Sequence, residues 1–318
     1  MSYELRSGEG LGEGIRRICR KQIALAIEAS EASRRDDDSP VHRTRKHLKK
    51  ARAALRLLER ATPRCEFKIA WRELRAAAHV ISDIRDAEVR FQTIQHLGEL
   101  LHIEKDEVIE RAEAFLDLEL ESFLAGFSDW KEEVAQRLTT VDTLMKGWPV
   151  EKLTCKDARR TAQRTYRRGR ETLREARRAP SSDNFHTFRK RAKELMYQVR
   201  ILRPLHPLIF KELRSDLKVL TEHLGSAHDL AFLEQRLIKR TRKGDDDPAA
   251  HALSELLGLR EKELQRAAAA LSERFYAEKP KAFAKRISGY FSEWEADLGG
   301  QVGAVKQIAR GMVPLNGR

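Results

Sequence analysis

"VHRTRKHLKKARAALRLL", residues 41–58, carries two histidines and seven Lys or Arg in eighteen positions, with no acidic residue before Glu59. Its remaining residues keep a helical spacing: Val41, Thr44, Leu48, Ala51, Leu55 and Leu58 recur every three or four positions and form one stripe suited to a packed face. His42, Arg45, Lys49, Arg52 and Arg56 each follow a member of that stripe by one residue, a rotation of about 100° around a helix. The cations therefore line the margin of the buried face, where neighbouring helices meet, and not the side opposite it. Such a row is unfavourable alone, because like charges three or four residues apart repel by about 0.2–0.5 kcal/mol per pair. Acids from another helix, or an anionic partner, must offset it.

The same design returns further along. "FHTFRKRAKELMYQVRIL", residues 185–202, lies over the first stretch so that His186 falls on His42, Arg189 on Arg45, Lys190 on Lys46, Lys193 on Lys49 and Arg200 on Arg56. Its stripe is Phe185, Phe188, Ala192, Leu195, Val199 and Leu202. Upstream, Arg17, Arg20 and Lys21 match Arg164, Arg167 and Arg168, which with Arg160 form one face of the preceding helix. Downstream, "IRDAEVRF" (84–91) matches "AHDLAFLE" (227–234) and sets Asp86 over Asp229. A repeat of about 145 residues is too long for a solenoid unit and marks a duplicated helical domain. Two antiparallel helices per half would frame a cationic track for a linear polyanion, with Arg offering forked donors and Lys a mobile charge.

Glycine and proline gather at few places, and between them run Ala-, Leu-, Glu-, Lys- and Arg-rich segments. They predict helices over 13–35, 40–61, 66–98, 103–125, 129–146, 154–178, 183–203, 207–240, 249–276 and 280–297, with no alternating strand: an all-α protein. Ser39 with Pro40, and Ser182 or Asp183, are the expected helix caps. Residues 1–12 are expected to be disordered, 13–149 and 150–298 to form the two helical repeats, and 299–318 a tail. Arg34-Arg35-Asp36-Asp37-Asp38 and Gly244-Asp245-Asp246-Asp247-Pro248 read as solvated connections.

The 318 residues hold 62 Lys and Arg against 49 Asp and Glu, a net charge of +13. That field favours a polyanion: nucleic acid, anionic lipid or polyphosphate. Three separated cysteines, Cys19, Cys65 and Cys155, suit neither a disulfide framework nor a cysteine zinc site and fit a reducing cytoplasm. The first residues lack an apolar signal core, and no run of about 18 uncharged apolar residues occurs, so neither export nor membrane insertion is expected.

Other chemistries fit less well. His42 and His47 do not share a helix face, and the surrounding cations repel a metal ion, so no metal or cofactor is expected. An exposed histidine such as His42 or His186 has the chemistry of a phosphoacceptor, which keeps phosphotransfer as an alternative. No Gly-rich phosphate loop and no nucleophile–base constellation supports turnover. Aromatics make up 7% of the chain, and near the basic rows only Tyr166, Tyr197, Phe185 and Phe188 occur, the last two on the packed stripe. Base stacking is poorly provided for, so phosphate alone explains the pattern better than RNA or DNA.

"VHRTRKHLKKAR" and "FHTFRKRAKELMY", each after an arginine-rich helix and before "IRDAEV" or "AHDLAF", resemble the two halves of a CHAD domain, the conserved-histidine α-helical domain. The resemblance spans about residues 13 to 297. It implies two pseudo-symmetric four-helix bundles around a central cavity or groove that binds inorganic polyphosphate, association with polyphosphate granules in the cytoplasm, and polyphosphate-metabolising or CYTH-type proteins as partners. The ligand-facing set it implies is His42, Arg45, Lys49, Lys50 and Arg52 from the first half, with His186, Arg189, Lys190, Lys193 and Tyr197 from the second. Met196 stands where the family usually has a cation, and Arg200 where an acidic residue is common. Asp86 and Asp229 match a recurring aspartate, read either as orienting the cations or as helix packing. The expected function is non-catalytic polyphosphate binding.

Overall fold

Capping side chains stand at the starts of the basic helices. Ser39 Oγ accepts the His42 N–H at 3.0 Å ahead of Pro40, and Thr154 Oγ1 accepts the Asp157 N–H at 3.2 Å. In the second repeat the cap is Ser181, which accepts the Asn184 N–H at 3.2 Å, so Ser182 and Asp183 are first-turn residues and not the cap expected above. The computed structural model describes residues 3–32, 39–101, 107–126, 129–241 and 248–311. The acidic connections 34–38 and 244–247 lie outside them, as do residues 1–2 and 312–318.

Among the described residues there are twelve α-helices and no strand. The first half holds α1 (Leu11–Glu31), α2 (Pro40–Leu58), α3 (Arg64–Val80), α4 (Ser82–Gln95), the short α5 (Leu97–Leu101), α6 (Glu107–Gly126) and α7 (Trp130–Lys146). The second holds α8 (Cys155–Arg178), α9 (Ser182–Ile201), α10 (Pro207–Thr241), α11 (Pro248–Phe275) and α12 (Pro280–Gly311). No helix is long and apolar enough to cross a membrane, among the described residues.

The pairing order repeats. Helix α1 packs on α2, α2 on α3, and α7 on α1 and α3; likewise α8 packs on α9, α9 on α10, and α12 on α8. Helices α2 and α9 pack on each other and, with the α4–α10 and α2–α8 contacts, join the two sets. This arrangement is compatible with two pseudo-symmetric bundles. The halves differ in detail: the expected helix over 66–98 breaks at the buried Ile81 into α3 and α4, whereas its counterpart α10 runs on unbroken. At the break Ser82 Oγ donates to the His79 carbonyl at 2.7 Å, a local bond that competes with helix continuation.

One apolar cluster runs through α1, α2, α3, α7, α8, α9, the start of α10 and α12. A second is shared between α4 and α6 of the first half and the end of α10 with α11 of the second. Both predicted stripes lie wholly inside the larger cluster or its margin: each of their twelve residues is buried. Burying Val41, Leu48, Leu55, Leu57 and Leu58 alone is worth on the order of 10 kcal/mol of gross apolar transfer. That exceeds the repulsion along the adjoining cation row, so α2 folds with its charges in place.

Two expectations change at the termini. The segment before α1 is ordered: Tyr3 and Leu5 are buried, the Leu5 N–H donates to the Ile201 carbonyl at 3.1 Å, and the Tyr3 hydroxyl donates to the Lys50 carbonyl at 2.7 Å. Helix α12 also continues past residue 298 to Gly311, where a tail was expected.

Two helix glycines test the packing. A Cβ on Gly169 of α8 would meet the Tyr276 ring at 2.8 and 2.9 Å, and that ring is held by Tyr166, Phe275 and Phe188, whereas a Cβ on Gly289 of α12 meets nothing within 4 Å. Thermal denaturation should therefore show Gly169→Ala destabilised by about 1–3 kcal/mol through overpacking. Gly289→Ala should be stabilised by up to about 1 kcal/mol through helix propensity.

Candidate functional site

The α2–α9 crossing brings the two cation rows together. On α2, Arg45 and Lys49 stand one turn apart; on α9, Arg189 and Lys193 do the same. The positive fields of Arg189 and Lys193 act directly on Lys49, and that of Arg189 on Arg45, so residues of both repeats share one site. Lys49 keeps access to solvent although protein crowds it. That enclosure, and then Arg189, Arg45, Lys193 and Arg85, hold its ammonium down at about 7. Burial followed by the Arg189 field lowers Lys193 as well, against the opposing pull of Glu222 and Asp229.

Few groups neutralise this cluster. Among the described residues none of Arg45, Lys49, Arg189 and Lys193 forms a salt bridge. Arg45 donates to the Ala78 carbonyl at 3.4 Å and Lys193 to Thr221 Oγ1 at 3.5 Å, both long contacts. The Arg189 guanidinium lies against the α10 backbone at Gly225, where an added Cβ would stand 3.2 Å from its terminal nitrogen. Its Nε, the Arg52 Nε and His186 Nδ1 are buried without a hydrogen-bond partner. Buried polar atoms of this kind ordinarily find a partner, so these three stand out as unsatisfied.

Asp86 and Asp229 occupy equivalent places beside the cluster. Burial raises both carboxyls; Arg45, Arg90 and Arg85 oppose this at Asp86, and Arg189, Arg85, Lys49 and Lys193 oppose it at Asp229. Neither forms a salt bridge among the described residues, so they moderate the field without clamping a cation. His186 stacks on His228 with ring centres 3.9 Å apart and planes at 28°. Burial, then Lys190, Arg189, Lys49 and Arg45, lowers His186 to about 4, and burial, then His186 and the same cations except Arg45, lowers His228 to about 3. His42 opens α2 half-buried, its backbone N–H held by Ser39.

The other predicted residues fall into flanks. Lys50 is held down at about 8 by burial, then Arg200 and Lys46; its ammonium lies 5.6 Å from the Tyr3 ring centre, which meets Tyr197 edge-on at 6.1 Å. Glu4, from the segment expected to be disordered, reaches Arg200 at 4.0 Å and Arg203 at 2.7 Å. No acid of α9 forms a salt bridge with Arg200 among the described residues, and Glu4 supplies one.

On the opposite flank Arg52 and Arg56 face Trp71, with guanidinium carbons 5.2 and 3.8 Å from the ring centre. Arg56 pairs with Glu194 at 3.3 Å and Glu59 at 3.7 Å, and Arg164 with Glu59. Arg168 belongs to the same group: burial, then Arg164, Arg191 and Arg56, lowers its pKa. Lys190 borders it, lowered by burial and then by Arg191 and Arg52.

Several α1 and α8 cations lie elsewhere than in a shared groove. Arg17 donates to Glu9 Oε2 at 2.9 Å and to the Glu4 carbonyl at 3.0 Å, and Arg20 forks onto Asp142 at 2.7 and 3.0 Å, tying α1 to α7. Arg167 reaches Glu171 at 3.7 Å on the exposed side of α8, Arg160 is exposed, and Lys21 is half-buried on α1. A recess of about 560 Å³ sits apart, lined by Arg170, Arg174, Arg177 and Arg178 with Tyr276, and there Arg177 pairs with Glu273 at 2.8 Å.

Sequence reasoning missed Arg85 and His228 as members of the cluster and Trp71 beside it. The signal for the first two was present, since each stands immediately before the matched aspartate in "IRDAEV" and "AHDLAF". Trp71 carried none, because its role depends on how α3 lies against α2.

Comparison with known proteins agrees with this architecture. PptA from Streptomyces chartreusis superposes with a TM-score of 0.57 at 16% identity, over 85% of this chain and 100% of that one. The CHAD domain from the plant Ricinus communis gives a TM-score of 0.53 at 16% identity, over 87% of this chain and 93% of that one. These likenesses concern the fold. Comparison with curated proteins returns no match. The family model for the CHAD domain matches residues 17–238, from α1 through α10 and thus through both cation rows; the chain belongs to the CHAD-domain family.

Proposed function

We propose that this protein binds inorganic polyphosphate without turning it over, and that the chain lies along the α2–α9 seam. One observation carries the reading: Arg45 and Lys49 from one repeat share a field with Arg189 and Lys193 from the other, and none of the four has a salt-bridge partner among the described residues. A ligand with one negative charge per unit and no bases to stack matches that row, and Arg forks and Lys ammonium groups suit phosphate oxygens. The flanks around Lys50 and around Arg168 and Lys190 extend the positive field beyond the centre. The same reading places the protein at polyphosphate granules in the cytoplasm, in the company of enzymes that make or use the polymer. It treats His186 as part of the anion-facing wall and not as a phosphoacceptor.

Binding of this kind releases counterions. Titration with long-chain polyphosphate at 50 and 200 mM salt should lose about 50-fold in affinity if four contacts dominate. Affinity should rise with chain length and exceed that for single-stranded RNA, and intact mass should be unchanged after incubation; equal affinity for RNA, or a covalent phosphate on the protein, would remove the reading. Combined Arg45→Glu, Lys49→Glu, Arg189→Glu and Lys193→Glu should abolish measurable binding with helical circular dichroism retained.

The depressed Lys49 value has two opposite consequences. In the free protein the unfolded chain binds more protons than the folded one between about 7 and the ordinary lysine value of 10.5, so this group makes stability rise with pH across that window. A polyanion favours the ammonium form, so affinity should fall as pH rises through 7. Lys49→Gln should therefore raise the melting temperature at pH 7, flatten both pH profiles and weaken binding about fivefold or more. A variant that melts lower while binding as well as the parent would contradict this.

A further inference from the structure

We infer that the recess between α8 and the end of α11 is a second anion site, separate from the α2–α9 seam, and that it takes a small organic phosphate in which several negative charges are joined to an apolar body. The inference goes beyond the reading of the seam and does not depend on it. The recess measures about 560 Å³, a volume suited to one small molecule and not to a long polymer. Arg170, Arg174, Arg177 and Arg178 line it from α8, and Glu273 lines it from α11. Leu173, Tyr276 and Ala277 complete it.

Four guanidinium groups against one carboxylate leave the recess cationic. Among the described residues Arg177 alone of the four forms a salt bridge, to Glu273 at 2.8 Å, and both partners keep more than half of their side-chain surface exposed. So open a pair contributes little and parts readily when a more highly charged anion arrives. The acids within α8 do not neutralise the other three: Glu171 reaches Arg167 at 3.7 Å, and Glu175 forms no salt bridge among the described residues. The helix dipole favours Arg177 and Arg178 in the last turn, but its effect does not extend to Arg170 and Arg174 further in. Arg170, Arg174 and Arg178 recur every fourth residue on one helix face and repel one another, as the cations of the α2 row do. They span a rise of about 12 Å, so their forks can grip successive phosphates of one ligand.

The apolar lining sets the class of ligand. Tyr276 and Leu173 are 3% and 5% exposed, and the Tyr276 ring is held by Tyr166, Phe275 and Phe188, so this surface is in place before any ligand arrives. Ala277 beside them is exposed. Bare phosphate gains nothing there, whereas an apolar group attached to phosphates gains by covering these side chains and the methylene stems of the arginines. Guanidinium planes also stack on flat rings. A nucleoside triphosphate combines these properties and serves as the probe. Glu273 opposes such a ligand twice, since it repels phosphate and occupies Arg177. Neutralising Glu273 therefore strengthens the site.

The test is calorimetric titration of the full chain with adenosine triphosphate at about 150 mM salt, without magnesium. Saturable binding is expected, and inorganic triphosphate should displace the nucleotide only at concentrations at least about tenfold higher. Arg174→Gln with Arg178→Gln should weaken nucleotide binding at least about tenfold, as charge-assisted hydrogen bonds are lost. Glu273→Gln should tighten it about threefold. Arg45→Gln with Arg189→Gln, at the distant seam, should leave it within about twofold while weakening long-chain polyphosphate. Displacement by triphosphate at equal concentration, indifference to the recess substitutions, or loss of nucleotide binding in the seam variant overturns the inference. Glu273→Gln keeps the test independent of folding, because a damaged protein does not gain affinity, and unchanged or weaker binding in that variant also counts against the site. Polyphosphate binding by the seam variant is read separately, so failure of the functional reading is distinguishable from failure of this one.

Discussion

Like charges from two copies of one helix are forced together because the stripe beside them must be buried. Leu48, Leu55 and Leu58 on α2, Phe188 and Leu195 on α9, and Leu202 at the C-terminal cap of α9 each keep 1% or less of their surface exposed, and that burial fixes the rotation of both helices. With the rotation fixed, the stems of Arg45, Lys49, Arg189 and Lys193 start from the margin of the buried face. Apolar transfer outweighs pairwise repulsion by roughly an order of magnitude, so the cluster is tolerated. It is not relaxed, as the orphaned Nε of Arg189 and the lowered Lys49 ammonium record.

Cations elsewhere are treated differently. Arg20 is forked onto Asp142, Arg56 is shared between Glu59 and Glu194 over Trp71, Arg90 and Arg236 both reach Glu119, and Arg286 pairs with Glu278. Most of those pairs join different helices and fix their relative placement, whereas none of the central four forms a salt bridge among the described residues. Asp86 and Asp229 fit this division, since they lie close enough to moderate the field but form no salt bridge, among the described residues.

Most helices and the centre of the site were legible in the sequence, for physical reasons that can be named. Helical periodicity exposes a buried face directly, and a duplicated pattern reports twice on one arrangement; hence both stripes and the pairing of Arg45 with Arg189 could be read. What escaped depends on contacts distant in the chain. Nothing local announces that Tyr3 and Leu5 dock on α9, that Glu4 serves Arg200 and Arg203, or that Asp142 takes Arg20. The break at Ile81 carries neither glycine nor proline, so the helix over 66–98 read as continuous. Cations of α1 and α8 also looked equivalent in the linear repeat, yet only Arg164 and Arg168 approach the α2–α9 seam, and Arg164 does so in partnership with Glu59.

The central claim is that one anionic chain is held jointly by both repeats. A crystal structure of the protein with a short linear polyphosphate measures this directly. The account predicts phosphate oxygens within hydrogen-bond distance of Arg45 or Lys49 and, in the same chain, of Arg189 or Lys193. Phosphates confined to the outer face of α8, or to the cations of one repeat alone, would contradict it.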